Sequence, residues 1–434
     1  MDEVYKDKSS SLMVERLVKG DTRRCVTAAD TPNVVATFAC FVCFIVYGAC
    51  QGSLGAALPS LAIKYNLTHS RSGLTFTCRG LGYLCGTVTA AFILHNKLDR
   101  VIGKAFLVCA SVVLTGFATG IMASQPSIEI VLFLFFIQGF GFGGIDTIGN
   151  VFLPELWGDR VQPWMQALHA CFGIGAVIGP AIVGGVGYVD AFIIISILSG
   201  VPLLGMLLHH SCRSSSNSTT NESDDNIEGA NSEAPWYIRG LVTIFFFIYV
   251  GVECGFGGWV PTFVLVTGTI TSERDAAFVS SVFWSALTAG RIFAIPLAFY
   301  FTTTSSLRFQ LLLTLIGAIL SCTILAQSYS SAFICSAVIG YGLSSIFPLG
   351  MMLLLEYKYP MTAVTTSMFV IGSTFGEGLI PVIIGIAMTV DGPYSLPYIT
   401  LSSSLFLIAL YFTIHMMSSI NLKDKYIVNT VSKV

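Results

Sequence analysis

Twelve stretches of about twenty apolar residues limit what this chain can fold into. A hydrocarbon core about 30 Å thick is crossed by roughly 20 apolar residues wound as a helix. Inside lipid a helix is the simplest fold that satisfies every backbone N–H and C=O within one segment. The runs lie at about 34–58, 71–94, 105–123, 128–151, 165–187 and 191–210, then at 237–262, 276–300, 309–327, 332–355, 362–390 and 396–418. Only 11% of the residues are charged, against about 25% in soluble domains. The expected fold class is therefore an all-α, multi-pass integral membrane protein with twelve transmembrane helices.

Between the sixth and seventh runs, residues 211–236 are rich in Ser, Asn and acids and nearly free of aliphatic side chains. Such a segment buries too little apolar surface to offset its ordering entropy, so it reads as a disordered linker. It divides the chain into a polar tail (1–33), a six-helix bundle (34–210), a second bundle (237–418) and a C-terminal tail (419–434). With the N-terminus cytoplasmic, seventeen Lys and Arg fall on the inner side and three (Lys64, Arg71 and Arg274) on the outer. Both termini are accordingly expected in the cytoplasm. The sequon Asn66-Leu67-Thr68 then lies outside as a glycan acceptor, whereas those at Asn217 and Asn221 fall in the linker. Eleven of the twelve cysteines lie in or beside the apolar runs, as small packing residues; no spacing suggests a disulfide scaffold or a metal site.

The halves repeat one another. Run 5 carries Phe172-Gly173-Ile174-Gly175 followed by Pro180, and run 11 carries Phe375-Gly376-Glu377-Gly378 followed by Pro381. Run 4 has Gly141-Phe142-Gly143 and later Glu155; run 10 has Gly340-Tyr341-Gly342 and later Glu356. Matched halves of six helices imply two pseudo-symmetric bundles with a central site at their interface.

Five charges fall in the middle of runs: Arg79, Asp146, Glu253, Arg291 and Glu377. Each costs at least about 2.5–3.5 kcal/mol at the bilayer centre, so each requires a partner or a function. One reading is that they pair and hold the helices in register. Two cations against three acids still leave one carboxylate over, and a spare buried acid either keeps its proton or holds a cation. Asp146 shares a stripe with Gln138 and Asn150, and a carboxylate with an amide carbonyl is a hard oxygen set suited to sodium. Glu253, with Tyr249 one turn before it in a glycine-rich segment, and Glu377 are its rivals.

Ser281, Trp284, Ser285, Thr288 and Arg291 recur at helical spacing along run 8. A polar stripe on a spanning helix faces protein or water. An aromatic ring flanked by hydroxyls can hold a sugar, although core packing is an equal reading. Gln51 and Tyr47 in run 1, and Tyr341, Ser344, Ser345 and Pro348 in run 10, are further candidates for the cavity. Gln166 and His169 open run 5 toward an inner vestibule. No nucleophile–base pair, phosphate loop or basic stripe supports an enzyme or a nucleic-acid binder.

These runs resemble a known family. HNKLDRVIGK is similar to the major facilitator signature Gly-x-x-x-Asp-Arg-x-Gly-Arg-Lys. Asp99 and Arg100 are kept, while His95 replaces the leading glycine and Gly103 is displaced by one residue. In that superfamily the motif is a cytoplasmic latch. The runs GFGFGGIDTIGNVFLPELWG, MQALHACFGIGAVIGP, YVGVECGFGGWV, SVFWSALTAGRIFAIP, SSIFPLGMMLLLEY and TSMFVIGSTFGEGLIPVIIG resemble the sodium-dependent glucose transporter 1 family. That family is related to major facilitator domain-containing protein 4 and, more remotely, to fucose–proton symporters. The resemblance implies a hexose-like sugar, glucose first, moved with sodium; the plasma membrane is the expected location. The fucose symporters use acids in helices 1 and 4; here run 1 offers Gln51 and no acid, so Asp146 alone inherits the coupling role. The expected ion site is Asp146 and Asn150, with Glu253 and Glu377 as rivals. Gln51, Tyr249, Trp284, Ser285 and Thr288 would contact solute, and Arg79, Arg291, Asp99 and Arg100 would balance charge or gate. No cofactor beyond the coupling sodium or proton is expected. Proton coupling, uncoupled facilitation and another small organic solute stay open. So does a non-transporting sensor or adaptor, for which Val431-Ser432-Lys433-Val434 would be a PDZ ligand.

Overall fold

The computed structural model describes residues 31–99, 103–203, 234–298, 300–357, 359 and 363–431. The expectations placed on residues 1–30, on Arg100, on the linker up to residue 233 with Asn217 and Asn221, and on Ser432–Val434 lie outside them. The described residues form α1 (Thr31–Tyr65), α2 (His69–His95), α3 (Lys104–Ala123), α4 (Ile128–Trp157), α5 (Gln162–Val186) and α6 (Tyr188–Leu198). The second half has α7 (Trp236–Val266), α8 (Glu273–Leu297), α9 (Thr303–Ile324), α10a (Tyr329–Leu343), α10b (Ile346–Glu356), α11 (Ala363–Val390) and α12 (Ser395–Val431). Taking α10a and α10b as one span, eleven segments are long and apolar enough to cross a membrane, and a shorter apolar stretch at Tyr188–Leu203 represents the sixth run.

Several helices begin before their apolar runs, because a hydroxyl caps the first turn where it emerges from hydrocarbon. Thr68 accepts from the Arg71 amide, Ser272 from Asp275 and Thr302 from Ser305. Ser328 and Ser331 form a reciprocal capping box on α10a. At the far end of the chain α12 runs on to Val431, so residues 419–431, expected as a tail, are helical.

The expected single helix over 332–355 is broken at Ser344-Ser345. Pro348 has no N–H to give the carbonyl four residues back, which is that of Ser344. That carbonyl instead accepts from Arg291 Nε at 3.0 Å. The same logic operates in α7, where Pro261 frees the Gly257 carbonyl to accept from Ser280 Oγ at 3.1 Å.

Helices α1, α2 and α5 of the first half face α7, α8 and α11 of the second. The repeat is built into close backbone contacts. A methyl on Gly175 would stand 2.1 Å from the Ile45 carbonyl of α1, and one on Gly376 would stand 2.0 Å from the Phe247 carbonyl of α7. Glu155 at the end of α4 binds Lys104 at the start of α3, and Glu356 at the end of α10b accepts from Thr304 at the start of α9. Large apolar side chains such as Val88, Phe117, Phe133, Phe309 and Phe412 are exposed, as a lipid-facing surface requires.

The two ends of the molecule differ. One apolar cluster joins Leu54, Leu58, Leu61 and Phe76 to the whole second half, whereas the first half's residues toward the termini form a separate cluster around Phe44, Phe142 and Leu168. Near the 66–68 turn the halves are tied by Ser60 Oγ to Glu273 and by the Ser70 amide to Thr389 Oγ1 at 2.9 Å. Thr77 Oγ1 adds a bond to the Gly378 carbonyl at 2.9 Å. The molecule is thus sealed at the 66–68 end and has separate apolar cores at the other.

Candidate functional site

At the centre, helices α1 and α7 cross. Gly48-x-x-Gln51-Gly52-x-x-Gly55 in α1 matches Gly251-x-x-Cys254-Gly255-x-x-Gly258 in α7, and the crossing brings matched residues face to face. Gln51 Nε2 lies 3.5 Å from Cys254 Sγ, and a methyl on Gly55 would sit 2.7 Å from Gly258 Cα. This paired motif is legible in the sequence, but the comparison of runs 4, 5, 10 and 11 passes over it.

The five charges within the spans resolve into two pairs and a remainder. Arg79 Nη2 lies 3.5 Å from Glu377 Oε1, joining α2 to α11 across the interface. The same carboxylate oxygen accepts from Gln51 Nε2 at 3.1 Å. Arg291 Nη2 lies 3.3 Å from Glu253 Oε1 within the second half. Asp146 has no cationic side chain at ion-pair distance among the described residues. Its Oδ2 accepts from the Tyr83 hydroxyl at 2.6 Å, and its Oδ1 from Asn150 Nδ2 at 3.0 Å. Gln138, on the same sequence stripe, lies elsewhere: its Nε2 donates to Thr119 of α3 at 2.8 Å. Eight residues of helix rotate and translate it away from Asp146.

A small cavity at the interface is lined by Gln51, Gly52, Gly55, Phe76, Arg79, Cys254, Gly257, Gly258 and Trp284. Two lining residues keep buried polar atoms without a hydrogen-bond partner, Gln51 Oε1 and Arg79 Nε and Nη1, and so do Ser281 Oγ and Thr288 Oγ1, one turn to either side of Trp284 on α8. Such atoms are expensive to leave bare and mark where a polar ligand gains most. Arg79 is only 1% exposed and lies over the rings of Phe76 and Phe142. Toward the termini, His169 is exposed and Arg291, Asp146 and Asn150 are half-buried, so this side of the layer is open to water.

The other candidates are placed as follows. Trp284 lines the cavity. Thr288 meets Gly173 where α5 crosses α8. Ser285 is half-buried, with its hydroxyl donated to the Ser281 carbonyl. Tyr249 is fully buried and its hydroxyl donates to Glu253, so it does not reach the cavity. Asp99 is bound to Lys104 at 2.7 Å, and Lys104 also reaches Glu155 at 2.7 Å, all within the first half. Asn66 is exposed in a left-handed turn. Tyr83 was missed by sequence reasoning, although its i,i+4 spacing from Arg79 puts both on one face of α2.

Comparison with known proteins agrees with this architecture. The profile of the Major Facilitator Superfamily matches residues 40–376. Mouse sodium-dependent glucose transporter 1A is 27% identical, covering 88% of this chain and 97% of its own length. Human sodium-dependent glucose transporter 1 is 26% identical over 79% of this chain and 71% of its own. Zebrafish major facilitator superfamily domain-containing protein 4A is 22% identical over 81% and 82%. Among solved structures, the nucleoside transporter NupG superposes with a TM-score of 0.66 at 13% identity, covering 89% of this chain and 99% of that one. A bacterial homologue of the human lysosomal transporter Spinster, in an inward-facing and unoccupied conformation, gives 0.67 at 13% identity, covering 92% and 99%. With twelve helices in two repeated bundles around a polar central layer, this chain belongs to the Major Facilitator Superfamily and is a multi-pass membrane transporter of that type.

Proposed function

We propose that this transporter carries a hexose-like sugar, glucose first, by alternating access and draws on a sodium gradient through Asp146. The observation that carries the reading is the charge balance: the two arginines within the spans are matched by Glu377 and Glu253, and of the three acids there Asp146 is the one without a cationic partner among the described residues. An uncompensated carboxylate in a partly dry site is a favourable place for a small cation, and the Asn150 amide, whose Nδ2 now donates to Asp146, would offer its oxygen as a second ligand once turned about its terminal bond. Gln51, Trp284 and Thr288, with Arg79 added, would take the sugar: ring C–H faces against the indole, hydroxyls on the unpartnered polar atoms. The mouse and human relatives are named for sodium-dependent glucose transport, which supports both solute and ion.

With both termini cytoplasmic, the conformation sealed at the 66–68 end faces inward. We place the protein in the plasma membrane, with exposed Asn66 as the glycan acceptor. Proton coupling is the second reading, favoured by His169, an imidazole exposed on the open side of the polar layer.

The test is uptake of radiolabelled glucose into proteoliposomes, with sodium or choline outside at two pH values. Sodium-dependent uptake that Asp146→Asn abolishes supports the proposal. Uptake that follows pH and ignores sodium moves the coupling to a proton. Uptake indifferent to both makes the protein a facilitator, and no uptake rules out glucose.

A further inference from the structure

Tyr83 and Arg79 stand one turn apart on α2 and face two different carboxylates. Tyr83 donates to Asp146 in its own half; Arg79 holds Glu377 in the other half. The backbone beneath them is pinned to α4. A methyl on Gly139 would stand 1.9 Å from the Arg79 carbonyl, and one on Gly143 would stand 2.3 Å from that of Tyr83. From the other direction Phe142, one turn before Asp146, offers its ring to the Arg79 guanidinium at 5.8 Å.

We propose that Tyr83 is the positioning residue that couples the ion site to the interface: a cation on Asp146 displaces the Tyr83 hydroxyl hydrogen, and α2 passes this to the Arg79–Glu377 contact. The reading rests on Asp146 as the ion acid. A carboxylate holding a cation has less charge to offer a donor, and the cation repels the hydroxyl proton. The phenol then either turns its oxygen toward the ion or swings away. Because α2 and α4 touch backbone to backbone, the displacement is not absorbed by soft side chains between them. It reaches Arg79, whose single 3.5 Å contact to Glu377 is long for an ion pair and readily altered. Glu377 Oε1 is shared with Gln51, which lines the cavity beside Arg79. Ion occupancy thereby changes which donors and acceptors the cavity presents to solute, which is a coupling free energy between two sites.

The experiment uses the purified full-length protein and two equilibrium measurements: binding of ²²Na⁺, and binding of radiolabelled glucose with and without sodium. Wild type is expected to bind glucose at least about fivefold more tightly in sodium, the lower end of ordinary allosteric coupling. Tyr83→Phe keeps the ring, should still bind ²²Na⁺, and should bring the sodium effect on glucose below about twofold, within ordinary scatter of no coupling. Tyr83→Phe with the sodium effect intact overturns the relay and leaves the ion site standing. Loss of ²²Na⁺ binding in Tyr83→Phe also overturns it, by making Tyr83 an essential ligand. Wild type that binds no ²²Na⁺ removes the ion site and the relay together. Asp146→Asn separates these cases: if it still binds ²²Na⁺, the acid was misassigned and the relay falls with it.

Discussion

Adding one methyl group where α1 meets α7 should shift the transporter between its two conformations. In the sealed state a Cβ on Gly55 would lie 2.7 Å from Gly258 Cα, 2.8 Å from the Gly257 carbonyl oxygen and 3.0 Å from that of Gly258. All three are backbone atoms, so no rotamer relieves the clash. Restoring ordinary contact near 3.5 Å requires the helices to part by roughly 0.8 Å. Overpacking of this kind costs about 1–3 kcal/mol, or roughly 5- to 150-fold in an equilibrium. Because the contact joins the halves, Gly55→Ala penalises the state sealed at the 66–68 end and spares one in which α1 and α7 separate there. Cys254, 6% exposed at the cavity, is the reporter. Its labelling by a membrane-impermeant maleimide applied from the 66–68 side, read by peptide mass spectrometry, should accelerate by that factor until the opposite state dominates. Gly175→Ala is the control, since its methyl would clash with Ile45 inside the first half; it should lower thermal stability without changing the labelling. If Gly55→Ala behaves like Gly175→Ala, the glycine crossing is packing alone and the two-state reasoning is wrong.

Trp284→Ala should weaken glucose binding about tenfold, with Trp284→Phe in between, as expected for loss of an aromatic contact and its buried area; equal affinities would remove the indole from the site. Around Lys104, Asp99 is 6% exposed and Glu155 49%. Asp99→Asn should therefore cost about 1.5–3 kcal/mol, and Glu155→Gln under about 1 kcal/mol. Thermal unfolding in detergent measures both, and equal losses would contradict the ranking by burial.

Local rules carried the helical runs and the repeat through the glycines of α4, α5, α10a and α11, whereas the caps at Ser272 and Ser328 emerged only with the structure. The break in α10 was foreshadowed by Pro348, but hydropathy averages over it. Its position depended on Arg291, a partner 53 residues away, donating to the freed Ser344 carbonyl. Gln138 shares the polar stripe of α4 in sequence but not its partners, because a stripe drifts around a helix over eight residues and a neighbouring helix claims each part separately.

From the sequence alone came a membrane fold of two halves, since apolar run length and backbone hydrogen bonding leave little else in lipid. It also showed that five charges lie within the membrane and that one acid exceeds the cations. Which acid that is required the tertiary structure. Arg79 and Glu377 lie 298 residues apart and Gln51 and Glu377 326 apart, and no periodicity reports contacts over such distances. Pairing depends on which helix faces meet across the interface. Asp146 is left over because α2 presents Tyr83 to it while turning Arg79, one turn earlier, toward the other half.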